Sequence, residues 1–238
     1  YRFLSGDETL NRLYDLKSFK SDLDHSLCFN SDIPYGYGLG SSGALVAAFY
    51  DRYCLEKTQD LVELKSILSA TENAFHGASS GIDPLVSYTG TGILVEEDGK
   101  LSRIDTDIIG RGLFLVDTGI SRRTEPLVDA FRDKFMSNSI FSDAVAELST
   151  YNKDAIHAFI KKDQAKLNEA VRLISGVQSE HFSALIPEAF MEIWTEGLVS
   201  GKFNLKLCGA GGGGFLMGLL HDPEYYPPCL DQYDIIKI

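Results

Sequence analysis

The chain has 238 residues, 44% hydrophobic and 24% charged, enough apolar material for one large or two small packed domains. Its formal net charge of −12 argues against nucleic acid and anionic membrane as partners, since neither would be steered toward it. No run of eighteen apolar residues marks a membrane span, and Tyr1-Arg-Phe-Leu-Ser-Gly-Asp-Glu8 carries no signal-peptide pattern.

In chain order, Leu10, Leu13, Leu16 and Phe19 suggest one amphipathic helix within the polar first 25 residues. Ser26–Ile33 reads as a strand. Next comes Pro34-Tyr-Gly-Tyr-Gly-Leu-Gly-Ser-Ser-Gly-Ala44, followed by a helix to about Leu55 that presents Leu45, Ala48 and Phe49 on one face. A second helix opens at Thr58-Gln-Asp60, with Leu61, Leu64, Ile67, Leu68, Thr71 and Phe75 as its apolar stripe and Gly77 as its stop. Gly92–Val95 and Lys100–Ile104 form a hairpin about Asp98-Gly99. Leu113–Asp117 is a further strand. Thr124 to about Glu196 is helical, with breaks near Ser137-Asn138, Lys162-Asp163, Gly176 and Pro187. Phe203–Leu207, Phe215–Leu220 and Tyr233–Ile238 are strands. Runs of strands and helices without strict alternation indicate an α+β chain. The four cysteines have neither zinc nor disulfide spacing. Three of them sit in apolar contexts, which reads as buried reduced thiols and a cytoplasmic protein.

The glycine stretch is the first feature that carries chemistry. Gly36, Gly38 and Gly40 let backbone N–H groups approach a ligand, and the helix behind them offers unpaired N–H groups and a positive dipole end. That is an anion site, most often for phosphate, and so many glycines exceed the needs of a plain turn. Gly38, Gly40 and Gly43 fit the dinucleotide spacing, but that fingerprint needs a second strand after the loop helix, and Asp60 to Phe75 is helical instead. The G-K-S/T ending of a Walker loop is absent. Cys208-Gly-Ala-Gly-Gly-Gly-Gly214 lies between two strands, as a linker or, better, as a compact ligand-contacting turn.

Pro34 through Ala44 resembles the phosphate loop of the GHMP kinases, P-x-x-x-G-L-G-S-S-A/G-A/S, without a gap. Glu72-Asn-Ala-Phe-His-Gly-Ala-Ser-Ser-Gly-Ile-Asp83 is similar to the E-x-x-x-H-G-x-P-S-G-x-D segment of the mevalonate kinase branch, with Ser79 in place of the Pro. Lys206 through Gly214 resembles the K-L-S/T-G-A-G-G-G-G motif, with Cys208 in place of the hydroxyl residue. Asp117–Thr124 is similar to N-T-x-x-P-R-S-T. The family's first motif, a lysine-bearing strand and loop, has no match in residues 1–33.

The resemblance implies a two-part GHMP kinase fold. Residues 1–110 would be an ATP-binding, ribosomal-protein-S5-domain-2-like half, apparently incomplete, and residues 111–238 a ferredoxin-like half. It implies phosphorylation of a small-molecule alcohol by ATP with Mg²⁺, with mevalonate as the leading acceptor. Another GHMP kinase (for a sugar, phosphomevalonate or homoserine) or an inactive nucleotide-binding homologue is the alternative, and a homodimer is left open.

The implied roles are these. Gly36, Gly38, Leu39, Gly40, Ser41, Ser42 and Gly43 cradle ATP; Ser42 and Glu72 hold the metal; Asp83 is the base. His76, Ser80, Arg122, Thr124, Gly209, Ala210 and Gly211 face the acceptor. Plainer roles stand beside several of these. Ser41 or Ser42 caps the loop helix, His76 finishes a helix, and Asp83 caps a helix that begins at Pro84.

Overall fold

A loop of glycines can divide a chain as well as bind a ligand, and here it does the first. A computed structural model describes residues 1–76, 79–104, 112–122 and 125–238. It separates into two compact units: Tyr1–Tyr35 with Gly40–Thr106, and Gly36–Leu39 with Asp107–Ile238. The sequence-based boundary at residues 110 and 111 lies outside the described residues.

The first unit is mostly helical. Three short helices, α1 (Arg2–Gly6), α2 (Glu8–Leu13) and α3 (Leu16–Asp24), replace the single one expected. Asp7 and Asp15 cause the interruptions: each side chain accepts a backbone N–H at the start of the next helix. The loop helix α4 (Ser41–Tyr53) buries Val46, Ala47, Phe49, Tyr50 and Tyr53. Its buried face therefore differs from the expected one, and Ala48 is exposed. Phe19, Phe49 and Tyr53 pack at centroid distances of 4.9 to 5.1 Å, and Tyr14 joins Phe49 at 4.8 Å.

Helix α5 (Leu61–His76) starts from Asp60, whose side chain accepts from the N–H groups of Val62 and Glu63. The expected stop at Gly77 lies outside the described residues. Helix α6 (Ile82–Thr89) leads to the predicted hairpin of β1 (Gly92–Val95) and β2 (Leu101–Ile104), which pair antiparallel. Residues 26–33, predicted as a strand, have no regular structure. Leu27 and Phe29 are exposed and pair with no described strand. Apolar alternation alone does not make a strand without an edge to join and a face to bury.

The second unit carries an antiparallel sheet of β3 (Leu113–Asp117), β4 (Phe203–Leu207), β5 (Phe215–Leu220) and β6 (Ile235–Lys237), in the order β4-β5-β3-β6. Three of these strands have the predicted bounds, and β6 is shorter. Phe114 sits opposite Gly218, where a side chain would strike its ring. Helices α7 (Glu125–Ser137), α8 (Ser139–Ile160), α9 (Gln164–His181) and α10 (Met191–Ser200) precede β4. Trp194 on α10 donates to the Ser175 carbonyl at 3.1 Å, within a core that includes Phe203, Leu205 and Leu216.

The break predicted at Gly176 does not occur, and α9 runs through it. One internal glycine costs a helix about 1 kcal/mol. Burial of Leu167, Val171, Ile174 and Val177 on the same helix is worth about 1.5–3 kcal/mol for each side chain. The cysteines are also less buried than expected. Cys28 is exposed and the other three are partly buried, all as free thiols. Among the described residues no helix is long and apolar enough to cross a membrane.

Candidate active site

In the first unit the chemistry gathers at the start of α4. Gly40 is the N-cap, at φ +73°, a left-handed conformation that a side chain would strain. It is also crowded, since a Cβ there would lie 3.3 Å from Asp83 Cβ and 3.5 Å from Asp83 Oδ2. Three residues on, a Cβ at Gly43 would lie 2.7 Å from the Pro84 nitrogen. These two glycines let α6 cross close to the first turn of α4, so Asp83 lies beside the N–H groups of that turn.

Neither Ser41 nor Ser42 caps α4, because the helix begins at Gly40 with no side-chain cap. Ser42 instead donates its hydroxyl to Glu72 Oε1 at 3.0 Å. Glu72, on α5, is only 6% exposed, so its carboxylate depends on such partners. Its other oxygen, Oε2, accepts from the Ser79 hydroxyl. The expected cap at Asp83 is also corrected. Gly81 is the N-cap of α6, at φ +73°, and Asp83 is the second helical residue. That place still favours a negative charge, by the helix dipole.

Asp83 keeps one face open to solvent and packs the other against α4. Partial burial first, and the charge of Glu72 second, push its carboxyl above the usual carboxylate range. Two neighbouring carboxyl groups, one of them held by neutral hydroxyls, form a donor set of hard oxygens. Such a set suits Mg²⁺, which takes a few protein oxygens and completes its shell with water and phosphate.

In the second unit, residues 36–39 pack against two other predicted segments. The Arg122 N–H donates to the Gly36 carbonyl at 3.4 Å, and that of Phe215 to the Tyr37 carbonyl at 3.2 Å. A Cβ at Gly38 would lie 2.9 Å from Arg122 Nη2 and 3.3 Å from the Cys208 carbonyl oxygen. A Cβ at Gly209 would lie 3.1 Å from the same Nη2. The Arg122 guanidinium thus rests against both glycine loops, and burial holds it below its usual range. Residues 208–214 are a compact turn between β4 and β5, not a linker. Gly214 donates to the Ile120 carbonyl at 2.7 Å and accepts from Thr118 Oγ1 at 2.6 Å.

The structure therefore brings Gly40, Ser42, Gly43, Glu72 and Asp83 together in one unit. In the other unit it brings Gly36, Gly38 and Gly209 against Arg122; Leu39, Ala210 and Gly211 belong to the same unit, with Gly211 packed on Leu185 and Leu207. Gly209 and Ala210 also line a largely apolar cavity of about 220 Å³ with Leu127, Phe131 and Phe182. Ser80 is exposed and accepts locally, from the Ile82 N–H at 3.3 Å. His76 ends α5, but its side chain and all of Thr124 lie outside the described residues.

Residues 8–91 match the GHMP kinases N terminal domain. The chain is 30% identical over 220 residues to a mevalonate kinase of Aeropyrum pernix, covering 86% of this chain and 63% of that protein. It is 29% identical over 223 residues to a mevalonate kinase of Arabidopsis thaliana, covering 82% and 56%. The chain belongs to the GHMP kinase superfamily. It spans roughly three fifths of the length of these relatives.

Solved structures show the same GHMP kinase fold. An L. major mevalonate kinase in complex with R-mevalonate superposes at a TM-score of 0.59 and 20% identity, covering 83% of this chain and 65% of that one. Lactococcus lactis galactokinase complexed with galactose gives 0.59 at 16% identity, covering 84% and 64%. Against the GHMP motif, the residue that sequence reasoning left without a role is Ser79. Its one signal was a hydroxyl where the motif has a proline, three residues before the Ile82-Asp83 pair.

Proposed function

We propose that this GHMP kinase transfers the terminal phosphoryl group of ATP to the hydroxyl of a small alcohol, and that the alcohol is mevalonate, giving 5-phosphomevalonate. The observation that carries the reading is the approach of Asp83 to Gly40, with the Ser42–Glu72 hydrogen bond alongside. It puts a basic carboxylate, a metal-type carboxylate and a phosphate-type helix start in one place. The identity to mevalonate kinases over most of the chain supports the choice of acceptor.

In this reading residues 1–110 form the ATP-binding half and residues 111–238 the other. The backbone N–H groups of Gly40 through Gly43 receive phosphate oxygens, and Gly36, Gly38, Leu39 and Ser41 shape the approach. Ser42 and Glu72 hold Mg²⁺, which when bound neutralises charge on the transferring phosphate. The acceptor oxygen bonds to the terminal phosphorus as the bond to the ADP oxygen breaks. The hydroxyl proton passes to the Asp83 carboxylate. Partial burial and the charge of Glu72 raise the pKa of Asp83, which strengthens the carboxylate as a base. Arg122 holds the acceptor carboxylate, for which a guanidinium fork is well shaped. His76, Ser80, Thr124, Gly209, Ala210 and Gly211 complete the acceptor side.

ADP release by the purified protein, measured against mevalonate, phosphomevalonate, galactose and homoserine, tests the reading. Turnover with mevalonate at least tenfold above the other three is expected. Preference for another acceptor would reassign the substrate. ATP binding without turnover on any of them would replace the kinase by a nucleotide-binding homologue.

A further inference from the structure

We propose that Ser79 is a positioning residue for the metal-binding carboxylate, a proposal that rests on reading Glu72 as a ligand of Mg²⁺. Glu72 is buried on α5, and its two oxygens are held from two directions. Ser42, from the first turn of α4, donates to Oε1, and Ser79 donates to Oε2. A hydroxyl that ligates a cation through a lone pair keeps its proton free to donate, so Ser42 can hold Oε1 and ligate the metal together. Ser79 holds the other oxygen, Oε2, and so fixes the plane of the carboxylate. Hydrogen bonds of this kind to a ligating carboxylate orient it and strengthen metal binding.

The same side chain also holds the turn that precedes the base. Ser79 Oγ accepts from the Gly81 N–H at 2.9 Å, and Gly81 is the N-cap of the helix that carries Asp83. The backbone of Ser79 is fixed separately, since its carbonyl accepts from Ser69 Oγ on α5 at 2.8 Å. One hydroxyl thus links the Glu72 carboxylate to the turn that aims Asp83, while a different bond ties the segment to α5. The proline of the family motif has neither a side-chain donor nor an acceptor, so this link is a property of the present chain.

The separate anchor makes the link testable. Mn²⁺ binding in the presence of a non-hydrolysable ATP analogue, followed by electron paramagnetic resonance, reports the site without turnover. Ser79→Ala is expected to weaken Mn²⁺ binding about 10-fold, as loss of a carboxylate's hydrogen-bond partner does at metal sites. Ser79→Thr keeps the hydroxyl and is expected to stay within about twofold of the parent protein. Ser69→Ala loosens the segment without touching the carboxylate; it is expected to lower the melting temperature and leave Mn²⁺ affinity unchanged. Unchanged affinity in Ser79→Ala, or an equal loss in Ser69→Ala, overturns the proposal and leaves the kinase reading standing. A parent protein that fails to bind Mn²⁺ with the nucleotide analogue overturns the metal assignment of Glu72, and this proposal with it.

Discussion

Asp83 lies against Gly40 so closely that a single added carbon at Gly40 would touch its Cβ at 3.3 Å. The phosphate-loop glycine therefore does two things: it turns the chain at φ +73° into α4, and it makes room for the carboxylate. Gly40→Ala should fail on both counts. Left-handed backbone costs a non-glycine residue about 1–2 kcal/mol, which for a chain of this size lowers the melting temperature by about 2–8 °C. Calorimetry should show ATP affinity reduced by at least tenfold. Unaltered ATP binding would remove Gly40 from the cradle.

Glu72→Gln keeps the size and hydrogen-bonding capacity of a buried side chain but removes its charge. Turnover with MgATP is expected to fall by about two to three orders of magnitude. ATP affinity measured with the metal chelated should stay within twofold. Ser42→Ala should follow the same pattern more mildly. Equal losses with and without metal would point to general damage of the nucleotide site.

Asp83→Asn should depress turnover by about 10²–10⁴, the range of general acid–base catalysis, with little change in nucleotide affinity. Because Gly81 and not Asp83 caps α6, the variant loses no cap. The sign of the pH effect follows from the raised carboxyl pKa. A carboxyl that is harder to ionise when folded contributes stability below its ordinary value of 3.8 and loses that contribution as pH rises through the folded value. The melting temperature of the parent relative to Asp83→Asn should therefore fall as pH rises from about 4 toward neutrality. A difference that is flat with pH would mean that Asp83 has an ordinary pKa.

Arg122→Ala should raise the KM for the acceptor by about 10–100-fold, as loss of a charged hydrogen-bonding partner does. The affinity for ATP should change little. Because Arg122 Nη2 also rests against Gly38, a larger loss in ATP affinity than in acceptor affinity would move its role to the nucleotide phosphates.

Gly176 sits inside α9, and a Cβ there would meet nothing within 4 Å. Gly176→Ala should stabilise the protein by about 0.5–1 kcal/mol, raising the melting temperature by about 1–4 °C. Activity should not change. A lower melting temperature would mean that the glycine is needed for a reason other than space.

The sequence by itself determined whatever depends on near neighbours. The apolar runs Leu113–Asp117, Phe203–Leu207 and Phe215–Leu220 became strands with those bounds, because buried β-rich segments carry their own signal. Asp98-Gly99 made its hairpin. Gly38-Leu-Gly-Ser-Ser42 stands at a helix start and, with the two later motifs, carries the family in the order of its letters. Tertiary structure decided what depends on a distant partner. Ser26–Ile33 has strand letters but pairs with no described strand and leaves Leu27 and Phe29 exposed, and α9 keeps its course through Gly176 because its buried face outweighs one glycine. Ser79 looked like a departure from a motif until the fold placed its hydroxyl on Glu72, seven residues away in sequence and against the same oxygen-rich site. Hydrogen bonds between side chains are short and directional, so their partners are set by how α4, α5 and the turn before α6 cross, which no local pattern of letters specifies.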